Sequence, residues 1–431
     1  MPLQLDHELA IPCLDKHLAA KIRIPGSKSL SNRALCLSAL AKGESTLEGI
    51  LHSNDTKRMI EAWSKLGVSI TESGKNKLTI KGCKGNISPC EEELYCENAG
   101  TAMRFLTAIL CLGHGPYHLT GNERMYERPI KDLIDPLNKL GCRIVDERGS
   151  GCPPLTIGAG GFPGGTVELE SSKSSQYLSA IMMTAPYAQN ATRIIIKGSL
   201  VSQTYVEMTL KIMHDFGVKA HWNKADCIEI PPQQCYQARD YEIEGDASSA
   251  SYFFVAAAIC QGEVTIEGVY RNSTQGDLGL VDILEKMGCE VEWSDRQVRL
   301  IGKPLKGISV DMNTMSDVAM SLAIAALFAK GKTTITNVAN MRIKECDRIS
   351  AICTELKKLG ARVEEWDDGF SIEGSTPLQG AKLDTYDDHR MAMSLSLAGL
   401  KVPEVVINDP ACVNKTFPNY FDMLFDAIGR H

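Results

Sequence analysis

The chain has 431 residues, of which 44% are hydrophobic and 23% charged, and its formal net charge at pH 7 is −7. Because this length exceeds one ordinary hydrophobic core, we expect at least two domains. The acidic balance argues against a general nucleic-acid binder, whose phosphate contacts need a basic face, but leaves room for a local basic pocket.

The cysteines and the N-terminal segment indicate the compartment. The chain holds 15 cysteines, an odd number without a repeated spacing. Neighbouring Cys83, Cys90 and Cys96 include no CxxC pair and no histidine that completes a zinc pattern. Residues 1–17 resemble neither a signal nor a transit peptide, and the longest apolar run, 319–329, is too short to span a membrane. We therefore expect a cytoplasmic protein with reduced thiols.

Six segments of the sequence share one pattern: a polar start, an apolar helix, a turn, a short strand and a closing glycine or asparagine. They begin at Ser31, Gly100, Ser174, Asp246, Ser316 and Asp387. A second predicted helix follows each segment and ends in a Leu-Gly-like step, at Gly67, Gly141, Gly217, Gly288, Gly360 and Gly429. Such a glycine suits the left-handed position after a helix, and strand-forming residues resume beyond it. The pattern predicts six β-α-β-α-β-β repeats.

Six repeats of this size fit two similar domains of three repeats each, in an α/β (α+β) fold. The polar segment 233–241 precedes the fourth repeat and suggests a chain crossing near residue 243. The strand before Pro25 can complete the other domain, which places a second crossing near residue 27. We therefore expect a discontinuous domain of residues 1–27 plus 244–431 and an inserted domain of residues 28–243. A two-stranded hinge would let the interdomain cleft, the expected active site, open and close.

The segment Pro25-Gly26-Ser27-Lys28-Ser29 places a glycine turn and hydroxyl residues before an apolar helix. The first N–H groups of a helix lack partners and its dipole is positive there, so this start favours an anion such as phosphate or carboxylate. Lys28 and Arg33 add full positive charges. A single stretch of this kind is more often an ordinary N-cap with solvated basic residues, but here the pattern recurs.

Equivalent loops of a repeated unit lie at equivalent ends, so the helix starts and the post-strand loops should face a common place. These loops are rich in basic residues: Lys28, Arg33, Arg58, Arg104, Arg124, Arg128, Arg271, Arg342, Lys344, Arg348, Arg390 and Lys415. These basic residues are suited to binding one substrate, or two, that carries several negative charges. Arg33, Arg104, Arg124 and Arg271 have the alternative of ordinary surface ion pairs.

The acidic residues among these loops allow more than one role. A carboxylate beside an anion site opposes anion binding, so for Asp317 a general base is favoured over an N-cap. Asp246 is interpreted as an N-cap. Glu345 is equally compatible with a structural counter-ion, and His389 with a structural role or with proton transfer.

Eight motifs, in order along nearly the whole chain, resemble those of the 5-enolpyruvylshikimate-3-phosphate synthase family. They are Pro25-Gly26-Ser27-Lys28-Ser29, Asn98-Ala99-Gly100-Thr101-Ala102-Met103-Arg104, Glu127-Arg128-Pro129, Ser174-Ser175-Gln176, Glu244-Gly245-Asp246-Ala247-Ser248-Ser249-Ala250-Ser251, Lys344-Glu345-Cys346-Asp347-Arg348, Asp388-His389-Arg390-Met391-Ala392-Met393 and Lys415-Thr416-Phe417-Pro418. The resemblance implies transfer of enolpyruvyl from phosphoenolpyruvate to the 5-hydroxyl of shikimate 3-phosphate, with release of phosphate, in aromatic amino-acid synthesis. It also implies a cytoplasmic, usually monomeric enzyme without metal or organic cofactor, whose partners are these two small molecules rather than nucleic acid or membrane.

The resemblance further implies the site residues. Those matching the family's shikimate 3-phosphate ligands are Lys28, Ser29, Arg33, Ser174, Ser175, Gln176, Ser202, Tyr205, Asp317, Asn340 and Lys344. Those matching its phosphoenolpyruvate ligands are Lys28, Gly100, Arg128, Gln176, Glu345, Arg348, Arg390 and Lys415. Asp317 would accept the 5-hydroxyl proton, and Lys28 or Glu345 would protonate the methylene carbon.

Two departures and two rival interpretations accompany the resemblance. Phe105 stands where the family commonly has proline or a smaller aliphatic residue, which puts the placement of Gly100 and the sensitivity to phosphonate inhibitors in doubt. Gln203-Thr204 replaces a common Lys-Pro and changes the stiffness of that loop.

A sister enzyme that uses UDP-N-acetylglucosamine has a reactive cysteine in the loop matching 122–129, which here has none. A non-catalytic repeat scaffold would instead spread its basic residues over a surface.

Overall fold

The computed structural model describes residue 5 and residues 7–14, 17–171, 174–198, 200–223 and 226–430. The α-helices are α1 (Lys28–Leu40), α2 (Asn54–Lys65), α3 (Gly100–Ile109), α4 (Lys131–Lys139), α5 (Ser175–Thr184), α6 (Gln203–Asp215), α7 (Ala247–Cys260), α8 (Gly279–Met287), α9 (Ala319–Leu327), α10 (Arg348–Lys358), α11 (His389–Gly399) and α12 (Tyr420–Ala427). Short 3₁₀-helices that matter below are Gly276–Leu278, Asn313–Val318, Ala339–Ile343 and Pro410–Lys415.

The strands are short and alternate with these helices. They are β1 (Glu8–Ala10), β2 (Ala19–Arg23), β3 (Glu44–Glu48), β4 (Ser69–Gly74), β5 (Lys77–Lys81), β6 (Leu94–Tyr95), β7 (Tyr117–Thr120), β8 (Ile144–Asp146), β9 (Leu155–Ile157), β10 (Gly165–Glu170), β11 (Thr192–Lys197), β12 (His221–Trp222), β13 (Cys227–Ile230), β14 (Asp240–Glu242), β15 (Glu263–Glu267), β16 (Glu290–Ser294), β17 (Gln297–Ile301), β18 (Ser309–Asp311), β19 (Lys332–Thr336), β20 (Arg362–Trp366), β21 (Gly369–Glu373), β22 (Lys382–Leu383) and β23 (Val406–Asn408).

The strands form small sheets that repeat one topology, in which a parallel pair continues into antiparallel strands. The four-stranded orders are β14-β3-β5-β4, β6-β7-β9-β8, β10-β11-β13-β12, β2-β15-β17-β16 and β18-β19-β21-β20, and the last sheet is β22-β23-β1. In that last sheet β1, from the start of the chain, pairs antiparallel with β23 where the other sheets have a hairpin strand. The predicted β-α-β-α-β-β repeats are confirmed, and the sixth borrows its antiparallel strand from the N-terminus.

The chain divides into two compact units, called lobe 1 (Met1–Pro25 and Glu244–His431) and lobe 2 (Gly26–Ile243). The sequence predicts chain crossings near residues 27 and 243. In the structure the chain passes from one lobe to the other after Pro25 and after Ile243. In lobe 1, β2 pairs in parallel with β15. In lobe 2, β14 pairs in parallel with β3. Each lobe thus takes the first strand of its first sheet from a distant part of the chain.

Each lobe has its own hydrophobic core, with one helix per repeat in its interior. These interior helices are α1, α3 and α5 in lobe 2 and α7, α9 and α11 in lobe 1. In α7 every residue from Ala247 to Ile259 is buried, whereas α2 buries only one face. A helix that is apolar all round belongs in a core, and an amphipathic one covers it. Polar residues of the interior helices are therefore largely confined to their first turns, where the basic and hydroxyl motifs lie.

The starts of these interior helices show how the motifs are held. α1 begins at Lys28, earlier than the predicted Ser31, because the Ser27 hydroxyl accepts a hydrogen bond from the Leu30 N–H at 3.5 Å and caps the helix. Asp246 caps α7 by accepting from the Ser249 N–H at 2.8 Å, which confirms its predicted role. The fifth repeat differs, since the turn Asn313–Val318 precedes α9 and delays the helix to residue 319.

Gly26 lies where the chain enters lobe 2 and has no room for a side chain. A Cβ at this position would lie 1.8 Å from the Gly49 carbonyl oxygen. Gly26→Ala is therefore expected to lower the free energy of unfolding by about 1–3 kcal/mol, because backbone must move to relieve the overlap. Gly160→Ala is the control, since a Cβ there would meet nothing within 4 Å. Urea unfolding of both variants measures the effect, and equal stability of the two would contradict this close approach.

Candidate functional site

In lobe 1, charged residues from five segments meet in one group, which we call the Arg348 cluster. Asp317 comes from the turn before α9, Lys344 and Glu345 from the loop before α10, and Arg348 from the first position of α10. The other members are Asp388, Arg390 and Lys415, from the start of α11 and the end of the last 3₁₀-helix. The repeat places these helix starts and loops together, as the sequence pattern predicts.

Arg348 is the centre of this cluster and is 1% exposed. Its guanidinium lies 3.0 Å from Asp317 and 2.8 Å from Glu345. The third contact joins its Nε to Asp388 Oδ2 at 2.7 Å. Burial alone would lower the pKa of Arg348, but the carboxylates of Asp388, Glu345 and Asp317 together raise it above its ordinary value. Arg348 is thus a permanent buried cation that holds three carboxylates in place.

Asp317 lies among three cations. Besides Arg348, it contacts Arg390, whose Nη2 is 3.0 Å from Asp317 Oδ2, and Lys344, whose Nζ is 3.8 Å from Oδ1. Burial lowers the pKa of Lys344, and the charge of Asp317 offsets part of that effect. Asp317 does not cap α9, because the N-cap position is Val318 and has no side-chain cap. The N-cap alternative for Asp317 is therefore wrong.

The remaining predicted residues of lobe 1 lie against the same cluster. The Asn340 amide donates to the Ser316 hydroxyl at 3.1 Å, next to Asp317. Lys415 Nζ is 3.9 Å from Glu345 Oε1. Glu345 therefore has the cationic neighbours that a counter-ion needs, and the same contacts are compatible with a proton-transfer group.

In lobe 2, Lys28 opens α1 and lies beside a carboxylate of the next helix. Its Nζ is 3.3 Å from Asp55 Oδ2, and the two side chains are 14% and 5% exposed. Asp55 sits in the first turn of α2, which follows β3. This partner orients a lysine amine at the start of an interior helix.

Arg33 lies one turn further along α1 and is buried. Its Nε donates to Thr209 at 2.8 Å and its Nη2 to the Ser179 hydroxyl at 3.1 Å. Its Nη1 donates to the carbonyl of Ser29 at 3.0 Å. Burial lowers the pKa of Arg33 to about 10, so it stays protonated at neutral pH. These bonds fix Arg33 against α5 and α6.

Phe105 packs against the same guanidinium. The Arg33 Cζ lies 5.2 Å from the centre of the Phe105 ring and 5.8 Å from that of Tyr205. A cation over an aromatic face is attracted by the ring quadrupole. α3 is continuous through Phe105, from Gly100 to Ile109. The unusual phenylalanine therefore fills a buried position in a regular helix and supports Arg33.

Two arginines flank Gly100 at the start of α3. A Cβ on Gly100 would lie 2.4 Å from Arg104 Nη1 and 2.6 Å from Arg128 Nη2. Arg104 donates to the carbonyls of Gly100 and Pro129, and Arg128 donates to the carbonyl and side-chain oxygens of Asn98. All of these acceptors are neutral, and both arginines are 5% exposed. Two buried cations beside the backbone of Gly100, which has no side chain, create a local positive potential that attracts an anion.

The hydroxyl motifs of lobe 2 have local roles that position them. Ser174 caps α5 by accepting from the Gln176 N–H at 3.3 Å. The Gln176 side chain donates to Thr101 at 3.3 Å, which links the starts of α5 and α3. Ser202 has φ of 53°, a left-handed conformation that is uncommon for serine, at the start of α6.

The structure thus groups the predicted residues by lobe. Lobe 1 holds Asp317, Asn340, Lys344, Glu345, Arg348, Arg390 and Lys415, and lobe 2 holds Lys28, Ser29, Arg33, Gly100, Arg128, Ser174, Ser175, Gln176, Ser202 and Tyr205. Arg124, by contrast, pairs with Glu127 at 2.6 Å in an ordinary exposed ion pair. Ser179, Thr209 and Asp277 lie outside the residues that the sequence predicted for the site. Asp55, Arg104, Ser248 and Asp388 belong to the predicted helix starts, loops or motifs, but the prediction assigned them to neither substrate. For Asp277 the available signal was its position in the loop after β15, in the first repeat of lobe 1.

Two features are absent from the described residues, a membrane-spanning helix and a cluster of metal ligands. None of the helices there has the length and apolar character that crossing a membrane requires. No group of three or more His, Cys, Asp or Glu side chains in those residues is arranged to hold a metal ion. All 15 cysteines lie in the described part of the chain, and none of them forms a disulfide there.

Comparisons with known proteins agree across sequence and structure. The family model described as EPSP synthase (3-phosphoshikimate 1-carboxyvinyltransferase) matches residues 14–424. A 3-phosphoshikimate 1-carboxyvinyltransferase of Trichormus variabilis is 45% identical over 98% of this chain and 99% of its own length. One from Vibrio vulnificus is 48% identical over 95% of this chain and 96% of its own. A solved EPSP synthase structure from Acinetobacter baumannii superposes with a TM-score of 0.83 at 27% identity, covering 97% of this chain and 98% of that one.

Proposed function

The chain belongs to the EPSP synthase (3-phosphoshikimate 1-carboxyvinyltransferase) family, and from this premise we propose how its residues carry the reaction. The protein is a transferase of the shikimate pathway. It moves the enolpyruvyl group of phosphoenolpyruvate to the 5-hydroxyl of shikimate 3-phosphate and releases phosphate. We further propose that it works as a cytoplasmic monomer without metal or organic cofactor, as the family resemblance implies.

The two substrates carry phosphate and carboxylate groups, and each lobe supplies cations for them. Shikimate 3-phosphate is proposed to contact Lys28, Ser29, Arg33, Ser174, Ser175, Gln176, Ser202, Tyr205, Asp317, Asn340 and Lys344. Phosphoenolpyruvate is proposed to contact Lys28, Gly100, Arg128, Gln176, Glu345, Arg348, Arg390 and Lys415. This assignment is supported by the arginines, whose side chains are buried and already held by hydrogen bonds or ion pairs. Donors that are already oriented lose little entropy when they bind an anion.

In the proposed mechanism Asp317 is the general base. It accepts the proton of the 5-hydroxyl while that oxygen attacks the middle carbon of phosphoenolpyruvate, and Lys28 or Glu345 donates a proton to the methylene carbon. The tetrahedral adduct then loses phosphate as a proton leaves the new methyl group, which restores the double bond. Arg348, Arg390 and their neighbouring lysines stabilise the charge on the departing phosphate.

One observation carries this proposal: Asp317 lies within 4 Å of Lys344, Arg348 and Arg390, with contacts of 3.8, 3.0 and 3.0 Å. A carboxylate held by three cations is oriented for one geometry. The cations also attract an incoming anion, whereas Asp317 alone would repel it. A buried, purely structural ion network would not need a lysine and a carboxylate that remain 24% and 17% exposed.

The proposal is tested by phosphate release in the wild type and in Asp317→Asn. Release is expected only when both shikimate 3-phosphate and phosphoenolpyruvate are present, and kcat is expected to fall by about 10²–10⁴-fold in the variant because the general base is lost. Asp295→Asn, an exposed carboxylate of the β16–β17 turn, is the matched control. Undiminished release in Asp317→Asn would assign the base elsewhere. Release with UDP-N-acetylglucosamine in place of shikimate 3-phosphate would point to the sister reaction.

A further inference from the structure

Asp277 is a buried carboxyl next to the Arg348 cluster that the mechanism above does not use. It lies in the 3₁₀-helix Gly276–Leu278, in the loop that follows β15, and is 4% exposed. The Ser248 hydroxyl, at the start of α7, donates a short hydrogen bond to its Oδ2. Within the described residues its Oδ1 is buried without a hydrogen-bond partner. A carboxylate oxygen in that state is costly to leave charged, so the site favours a neutral acid.

A chain of contacts joins Asp277 to the proposed base. The Ser248 oxygen, which donates to Asp277, also accepts a hydrogen bond from Arg390 Nη2 at 3.3 Å. The same Nη2 is 3.0 Å from Asp317 Oδ2. Asp277 therefore fixes the orientation of the Ser248 hydroxyl, and that hydroxyl fixes one edge of the Arg390 guanidinium against Asp317.

We propose that Asp277 is a positioning residue for the transfer reaction, which orients Arg390 through Ser248 and whose charge modulates the binding of phosphoenolpyruvate at Arg390. This inference rests on the proposed function, since it needs Arg390 to bind that anion. Asp277 itself touches neither substrate in the proposal. The equivalent segment of lobe 2, after β3, also carries a buried carboxylate, Asp55 in the first turn of α2, which contacts Lys28 at 3.3 Å. In both lobes, then, a buried carboxylate that follows the first interior helix and its strand orients a cation of the site.

The charge of Asp277 depends on the groups that face it. Burial and the nearby Asp317 raise its pKa to about 7, Asp246 acts in the same direction, and Arg390 and the Ser248 hydrogen bond oppose them. Below that pH Asp277 is neutral, and above it Asp277 adds a negative charge beside Arg390. Because phosphoenolpyruvate is an anion, its binding should weaken as the pH rises through about 7.

The test compares Asp277→Asn with the wild type by measuring kcat and KM for each substrate from about pH 6 to about pH 8.5, around the pKa of about 7. Asparagine mimics the neutral acid, so the ratio of variant to wild-type kcat/KM for phosphoenolpyruvate should rise by about tenfold across this range. Taking the ratio removes the ionisation of the substrate itself. Asp282→Asn, an exposed carboxylate on the adjoining α8, should leave the ratio flat.

A second variant separates orientation from charge. Ser248→Ala cuts the link to Arg390 but keeps the Asp277 carboxyl, so the KM for phosphoenolpyruvate should rise by about tenfold while the change near pH 7 persists. The KM for shikimate 3-phosphate should stay within about twofold in both variants. Thermal unfolding of each variant establishes that it is folded, and Asp277→Asn is nearly isosteric.

The outcomes are distinct. A flat ratio for Asp277→Asn together with an unchanged KM in Ser248→Ala overturns this inference while the wild type remains active. A change confined to stability, with neither the KM for phosphoenolpyruvate nor the pH profile altered, also overturns it, because it assigns Asp277 a merely structural role. A wild type that releases no phosphate from the two substrates overturns the proposed function and this inference with it.

Discussion

Arg348→Met is expected to lower the free energy of unfolding by about 3–5 kcal/mol and to abolish phosphate release. The substitution removes one buried cation and leaves three carboxylates facing one another, since Arg348 contacts Asp317, Glu345 and Asp388 at 3.0, 2.8 and 2.7 Å. Methionine has a similar length and keeps much of the apolar packing. The loss therefore comes from uncompensated charge rather than from a cavity.

Urea unfolding followed by circular dichroism measures this effect, with Arg362→Met, on the exposed strand β20, as the control. Arg348→Lys is the informative intermediate, because a single ammonium cannot reach three carboxylates with the geometry of a guanidinium. We expect it to recover part of the stability but little activity. A stable Arg348→Met would show that the carboxylates are neutralised by other neighbours and that Arg348 is not the organising cation.

The repeat could be predicted from the sequence because its signals are local. Each Leu-Gly-like step contains a glycine with positive φ in the structure, from 70° at Gly429 to 126° at Gly288. Only glycine adopts such angles without a Cβ penalty, so these steps are visible in the sequence. The pairings of β1 with β23 and of β2 with β15 join segments hundreds of residues apart. No local pattern identifies the pairing partner of a strand as short as β1, which has three residues. The completion of the last sheet by β1 was therefore not predicted.

The site shows the same division between local and tertiary information. Motifs of lysine, arginine and serine at helix starts predicted the cations, because anion binding requires those residue types there. Asp55 was given no substrate-binding role and Asp277 was missed as a site residue, since an acidic residue that follows a strand resembles an ordinary cap or a solvated charge. What distinguishes them is burial, 3% and 4% exposed, which arises only when the interior helices close over the loops. Phe105 gave a signal as an unusual residue, but its contact with Arg33 depends on the packing of α3 against α1.

Lys28→Met is expected to reduce kcat/KM by about 10²–10⁴-fold, because Lys28 is proposed both to bind the two substrates and to act on a proton. The variant also leaves Asp55, a buried carboxylate, without the amine that lies 3.3 Å from it. That change should lower the free energy of unfolding by about 1–3 kcal/mol. Lys57→Met, an exposed lysine of α2, should change neither quantity.

The structural and chemical roles of Lys28 can be separated with its partner. In Lys28→Met combined with Asp55→Asn the buried charge is gone, so stability should return towards that of the wild type. Activity should not return, because the amine is still missing. Recovery of activity in the double variant would mean that Lys28 only balances Asp55.

Glu345→Gln then decides which group protonates the methylene carbon. If Lys28 is the donor, rapid-quench analysis of Glu345→Gln with both substrates should still find the tetrahedral adduct, formed and then decaying slowly, whereas Lys28→Met should form none. The opposite pattern would assign the donor to Glu345, which contacts Arg348 at 2.8 Å and Lys415 at 3.9 Å. Either result locates the first proton transfer, since protonation of this carbon is required for the adduct to form at all.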